Sequence, residues 1–140
     1  MKLSSSLSFF VALAKLQATM SRRLDASLNG ISFNEFIILY HLSNAPELKM
    51  RRGELAERIG FTASGITRLL LPMEKIGLVS RQTDERDGRV SFVALAPGGK
   101  MKLEEGLERA EIIMEDMVPA AAVKKIESLA QIVSELTARA

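Results

Sequence analysis

The sequence predicts a mainly α fold carrying one small β-hairpin (α+β), in a single domain over residues 1–140. Three observations predict it. "GELAERIGFTASGITRLLLPMEKIG" reads as two short amphipathic helices separated by a glycine. "LVSRQT" and "RVSFVAL" are β-prone and flank the polar run "DERDG". Helical patterns with apolar stripes occupy both ends of the chain. A length of 140 residues makes one domain the default and allows a compact core.

Residues 3–28 read as the first helix. Leu3, Leu7, Phe10 and Ala14 form one apolar stripe; Phe9, Leu13, Leu16 and Met20 form another. A surface helix needs one stripe against its own core, so two stripes predict burial on two sides, the second against another chain. The opening "MKLSSSLSFFVALAKLQA" has the look of a secretory leader. Its apolar run is short and broken by Ser8, and the pattern continues through Leu24 and Leu28, so a working helix is expected. No stretch approaches the ~20 apolar residues of a membrane span. The expected compartment is the cytoplasm, with no membrane partner. Asn29-Gly30 ends the helix.

Ser32 caps the next helix, and Glu35 three residues on completes a capping box. "FNEFIILYHL" runs to Leu42, and Pro46 stops it. Leu55, Ala56 and Ile59 give the inner face of a third helix, broken at Gly60. Thr62 caps a fourth, with Ile66, Leu69, Leu70 and Met73 inward. Helix, glycine turn, helix is the helix-turn-helix pattern. Gly77 closes it and the hairpin follows. Pro97-Gly98 ends the hairpin, and residues 99–117 return to helix with a seam of Leu103, Leu107, Ala110, Met114 and Met117. Pro119 opens a last helix, with a seam of Ala122, Ile126, Leu129, Val133 and Leu136.

Composition removes whole classes of chemistry. The chain has no cysteine and one histidine, His41. Disulfides, thiol chemistry and Cys- or His-cluster metal sites are excluded. No nucleophile–base pair or phosphate-cradling loop is visible, so neither enzymatic activity nor a cofactor is expected. Charge is unevenly spread. Residues 49–89 hold nine Lys/Arg against six Asp/Glu, whereas residues 101–140 hold five against eight. A basic middle suggests an anionic partner.

A helix-turn-helix followed directly by a charged hairpin resembles the winged helix-turn-helix of the MarR family, the multiple-antibiotic-resistance-type regulators. "GELAERIGFTASGITRLLLPMEKIGLVSR" is similar to the family's motif helices, "DERDGR" to its wing signature, and "LAPGGK" to the entry of its first C-terminal helix. The resemblance covers nearly the whole chain. It implies a two-fold homodimer, with residues 1–30 and 98–140 as dimerisation helices and 31–97 as the winged lobe. It also implies a double-stranded DNA partner, a near-palindromic operator, and a repressor released by a small-molecule effector.

The residues fit that partner. The N-terminal part of a recognition helix meets base edges and phosphates in the major groove. Thr62, Ser64 and Thr67 offer hydroxyls there, Gly65 allows close backbone approach, and Arg68 lies one turn on. Thr62 also reads as a cap alone, Gly65 as a packing glycine, and Arg68 as a surface ion pair. A narrow minor groove attracts an inserted arginine. By resemblance that arginine is Arg89, with Asp87 holding it, Arg86 second, and Asp84 organising the turn. Lys49, Arg51, Arg52 and Arg58 flank the motif without a choice among them. Tyr40 and His41 are candidate effector contacts; His41 reads equally as a satisfied, partly buried residue. Two positions depart from the family. Pro72 lies inside the recognition helix and predicts a kink or local adjustment. Ile76 stands where a basic residue is common. The competing reading is a winged-helix protein-interaction module that does not bind DNA. It would need an acidic or apolar recognition face, against Arg68, Arg86 and Arg89.

Overall fold

A computed structural model describes residues 1–140. Helix α1 (Ser5–Ser27) begins where the Ser4 hydroxyl accepts the Leu7 amide, and it ends before the left-handed Asn29 and Gly30. Helix α2 (Phe33–Ser43) carries the full capping box: the Glu35 amide donates to Ser32 Oγ at 3.1 Å, and the Ser32 amide donates to Glu35 Oε1 at 2.8 Å. A 3-10 turn, Pro46–Leu48, leads into strand β1 (Lys49–Arg51). Helices α3 (Arg52–Ile59) and α4 (Ala63–Lys75) meet across left-handed Gly60. Strands β2 (Val79–Thr83) and β3 (Ser91–Leu95) form the hairpin. Helix α5 (Pro97–Met117), a 3-10 turn (Ala120–Ala122) and helix α6 (Val123–Arg139) complete the chain.

The sheet is antiparallel in the order β1-β3-β2, with Met50 opposite Val93 and Arg81 opposite Val93 on the other side. Strand β1 is absent from the sequence reading. Three residues are too few to show alternation, and the partner strand lies some forty residues away. One apolar core holds the lobe together. Ile38, Leu39 and Leu42 of α2, Leu55 of α3, and Ile66, Leu70 and Met73 of α4 are all fully buried in it. Leu24, Leu28 and Ile31 close it at the end of α1, and Leu103 and Ile113 tie in α5.

Two sequence expectations are corrected, both at helix starts. Helix α5 starts at Pro97, not at residue 99, because proline fits the first helical position, where its missing N–H costs nothing. The following glycines serve packing. A Cβ on Gly98 would lie 2.9 Å from the Gly77 carbonyl oxygen, and one on Gly99 would overlap that of Leu78. The inward face of α5 is Gly99, Leu103, Gly106 and Ile113, flanked by half-buried Ala110 and Met114, while Leu107 and Met117 are exposed. Pro119 caps the 3-10 turn instead of opening α6, so Ala122 falls outside that helix. Helix α4 is continuous through Pro72, which sits with Arg68 on its exposed side.

The ends of the chain are different in kind. Helix α6 buries no residue, and α1 buries only Leu24. Phe9, Phe10 and Leu13 of α1 line one apolar cleft with Val133 and Leu136 of α6. Parts of both stripes and of the last seam therefore meet at one uncovered apolar cleft.

The glycine contacts give a stability test. Gly99→Ala is expected to destabilise by about 1–3 kcal/mol, since the Leu78 carbonyl is held by the Ala96 amide at 3.1 Å and cannot yield freely. Gly53→Ala in α3, with nothing within 4 Å, serves as the contrast and should gain roughly 0.5–1 kcal/mol. Urea melts of both would show equal midpoints if the α5 entry were loosely packed.

Candidate nucleic-acid interface

The amino end of α4 is built by its own cap. Thr62 Oγ1 accepts the Gly65 amide at 3.0 Å and lies 3.3 Å from Ser64 Oγ. A Cβ on Gly65 would stand 3.1 Å from that oxygen, so glycine keeps the cap tight. Ser64, Arg68 and Leu71 follow at helical spacing along the exposed face. Thr67 is half-buried and already engaged. Its hydroxyl donates to the Ala63 carbonyl at 3.0 Å and accepts from Arg52 Nη1 at 3.2 Å. A threonine oxygen so committed keeps one free lone pair. Of the five positions on this helix singled out from sequence, Thr62, Ser64 and Arg68 are open to a ligand, and Gly65 and Thr67 shape what they present.

The hairpin tip is organised by its carboxylates. Asp84 Oδ1 accepts the Arg86 amide at 2.8 Å, and the Asp84 amide donates to the Val90 carbonyl at 2.9 Å. Asp87 Oδ1 accepts both the Arg89 amide, at 3.0 Å, and Arg89 Nε, at 3.1 Å; Asp87 Oδ2 accepts Nη2 at 3.3 Å. The Arg89 side chain is 92% exposed, yet both edges of the contact are fixed. The Arg89 guanidinium, then its amide, hold the Asp87 carboxyl below its ordinary pKa, with Arg51 adding a smaller pull. Arg86 is exposed beside it. A long cation normally loses rotamer freedom on docking; one aimed by a fork of hydrogen bonds loses less.

The flanking cations sort themselves in space. Lys49 pairs with Glu47 at 3.1 Å and lies 4.8 Å over the Phe92 ring. Arg58 pairs with Glu54 along α3 at 3.6 Å. Arg52 turns inward to Thr67 and to Glu74, which also faces Arg81. Arg51 is exposed and makes no ion pair. The Arg52–Glu74–Arg81 group was missed by sequence reasoning, because nothing in the spacing of those three residues along the chain signals that they meet.

Two cavities open beside Tyr40. One, of about 450 Å³, lies between α1, α2 and α5, with apolar walls that include Leu13, Met20, Phe33, Phe36 and Met114. The other, of about 520 Å³, lies between α2, α3, β1 and β3 and is lined by His41, Lys49, Arg51, Arg58 and Phe92 among others. Tyr40 borders both, whereas His41 borders only the second. Burial and then Arg58 hold the His41 imidazole below its ordinary pKa.

Asp87 offers a direct check of the wing geometry. A depressed folded-state pKa means the brace is present above the ordinary carboxylate value and is lost as pH falls through the lowered one. Carboxyl-carbon NMR should therefore place the Asp87 midpoint below the ordinary range, and Arg89→Ala should move it back up. A wild-type midpoint at or above the ordinary value would falsify the brace.

Comparison with known proteins agrees with this architecture. The MarR family model matches residues 29–90. The HTH-type transcriptional repressor YetL of Bacillus subtilis (strain 168) is 31% identical over 106 residues, or 74% of this chain and 64% of the relative. The chain thus spans 64% of the length of the curated relatives it matches. The transcriptional regulator BldR from Sulfolobus solfataricus superposes with a TM-score of 0.81 at 26% identity, covering 96% of this chain and 99% of that one. Sco3205, a MarR family transcriptional regulator from Streptomyces coelicolor solved in complex with DNA, shares the fold, with a TM-score of 0.75 at 22% identity over 96% and 90% of the two chains. No helix here is long and apolar enough to cross a membrane. The helix-turn-helix and wing region thus matches the MarR family model, and the chain shares its fold from the first helix to the last with a MarR family regulator of known structure.

Proposed function

We propose that the chain is a DNA-binding transcriptional regulator, acting as a homodimeric repressor on a near-palindromic operator and released by a small-molecule effector. The observation that carries the reading is the braced Arg89 at an exposed hairpin tip, on the same lobe as the open Thr62, Ser64 and Arg68 end of α4. A major groove takes one helix, and the adjacent minor groove takes an arginine. DNA is also the partner named for the similar Sco3205 structure. A protein-interaction module would instead present an acidic or apolar patch at the helix start, where Ser64 and Arg68 stand.

Residues 1–30 and 98–140 supply the dimer contacts in this reading. The uncovered cleft of Phe9, Phe10, Leu13, Val133 and Leu136, together with exposed Ile126 and Leu129, supports it. An apolar surface of that extent on a soluble chain marks an association site. Two-fold symmetry would place the half-sites about one helical turn, roughly 34–36 Å, apart. The effector fits the apolar cavity bordered by Tyr40, since that cavity joins the terminal helices to the lobe. His41, on the polar side, is the weaker candidate contact. A ligand there that prefers another lobe spacing would couple to DNA by roughly 1–3 kcal/mol.

Two experiments test the reading. Arg89→Ala should leave melting temperature and mass unchanged, weaken binding to a selected duplex by about 1–3 kcal/mol, and make its salt dependence shallower by about one unit per lost contact. Arg109→Ala on α5 is the control; wild-type binding by Arg89→Ala would move the DNA surface elsewhere. Separately, Leu129→Glu/Val133→Glu should turn a particle of twice the chain mass into a folded single chain, because neither residue belongs to the core. A variant that keeps the doubled mass would remove α6 from the interface.

A further inference from the structure

Glu74 stands on the last turn of α4, with its side chain 24% exposed. Its Oε1 atom is out of water and accepts no hydrogen bond. Two guanidiniums face that one oxygen. Arg52 Nη2, from the first residue of α3, is 3.9 Å away; Arg81 Nη2, from the middle of β2, is 3.8 Å away. Arg52 reaches further along α4, donating Nη1 to Thr67. One carboxylate therefore joins the start of α3, the end of α4 and β2, the edge strand of the wing.

The covalent connection between α4 and β2 is short and turns through left-handed Gly77. Buried Leu78 and Val79 pin the base of the hairpin. Beyond them, Arg81, Gln82 and Thr83 are exposed, and the ion pair to Glu74 is the side-chain tie between this stretch and α4. Without the carboxylate, two guanidiniums would face each other with no charge between them, and like charges so placed repel. The outer part of β2 would then be held only by its ladder to β3, and the hairpin tip would be less firmly set against α4. Arg89 and the α4 amino terminus would keep their charges and lose their fixed separation.

We propose that Glu74 is a positioning residue that, through Arg52 and Arg81, sets the wing against the recognition helix and thereby governs the sequence specificity of DNA binding rather than its general strength. The proposal rests on the DNA-binding reading above. It assigns Arg52 and Arg81, two cations of the basic middle, to an internal role instead of a phosphate contact.

The test uses the full chain as wild type, Glu74→Gln, Arg81→Gln and the double variant. Two probes are needed: a duplex recovered by wild-type selection from a randomised library, and an unrelated duplex of equal length. Glu74→Gln should bind the selected duplex roughly 10-fold more weakly. It should bind the unrelated duplex as well as wild type or slightly better, having one negative charge fewer. Arg81→Gln should lower the same ratio, and the double variant should be no worse than the poorer single, since both remove one contact. In the free protein, hydrogen exchange should speed up in residues 79–83 and 91–95 and stay unchanged in α2. An unchanged selected-to-unrelated ratio overturns the proposal. So does equal loss on both duplexes with faster exchange throughout, which is the signature of a merely structural residue. Should wild type select no duplex at all, the DNA-binding reading falls, and unchanged hairpin exchange in Glu74→Gln overturns the bracket independently.

Discussion

Everything that faces outward on this lobe depends on how α4 is pinned inward. Ile66, Leu70 and Met73 recur at helical spacing and are fully buried against Ile38, Leu39 and Leu42 of α2 and Leu55 of α3. Each such side chain contributes about 1.5–3 kcal/mol of burial. The more important consequence is orientation. With that stripe inside, Ser64, Arg68 and Leu71 have no choice but the exposed face. Rotating the helix by one residue in one sense would put Thr67 and the Glu74 carboxylate in the core, a cost that burial of Leu71 could not offset, and in the other would put Gly65 and Pro72 there. The same stripe explains why Pro72 is tolerated. It sits opposite the core, at a place where the helix is held by side chains rather than by the one missing backbone bond.

A second layer of the design is electrostatic and works by pairing. The basic middle of the chain is not a uniform positive field. Several of its cations have carboxylates at short range: Lys49 has Glu47, Arg58 has Glu54, Arg52 and Arg81 share Glu74, and Arg89 has Asp87. These pairs differ in exposure, and exposure separates their roles. The Glu74 group is half-buried and ties elements together. The Asp87–Arg89 pair is open to water, where ion pairs add little stability, so its use is to aim a charge. Arg51, Arg68 and Arg86 remain unpaired and free for an anion.

The terminal helices add the third layer. Glycine contacts at Gly98 and Gly99 bring the start of α5 directly against the Gly77–Leu78 backbone, at the root of the wing. Helix α5 and the hairpin therefore share a joint. The apolar cavity beside Tyr40 lies on the same route, between α1, α2 and α5. A change in packing there would be carried through α5 to the root of the wing.

Much of this was legible in the residues themselves, because the signals are local. The Ser32–Glu35 capping box, the Gly60 break, the Thr62 cap, the inner face of α4 and the Asp87–Arg89 pair all involve residues within a few positions of one another. Short-range spacing fixes such geometry before any tertiary contact forms. The double stripe of α1 and the seam of α6 likewise announced an uncovered surface. Other features needed the folded chain. Strand β1 exists because β3 offers it an edge. The inward face of α5 includes Gly99, Gly106 and Ile113 because backbone of the wing root and the Phe36 ring press against it, and a periodic apolar pattern carries no record of how close its neighbour comes. The Arg52–Glu74–Arg81 group was invisible for the same reason: its members meet only after a helix, a turn and a strand have been packed together. Sequence alone determined which residues cap, turn and point inward; the tertiary structure decided which charges meet, because the distance between groups on different elements is set by core packing and not by their separation along the chain.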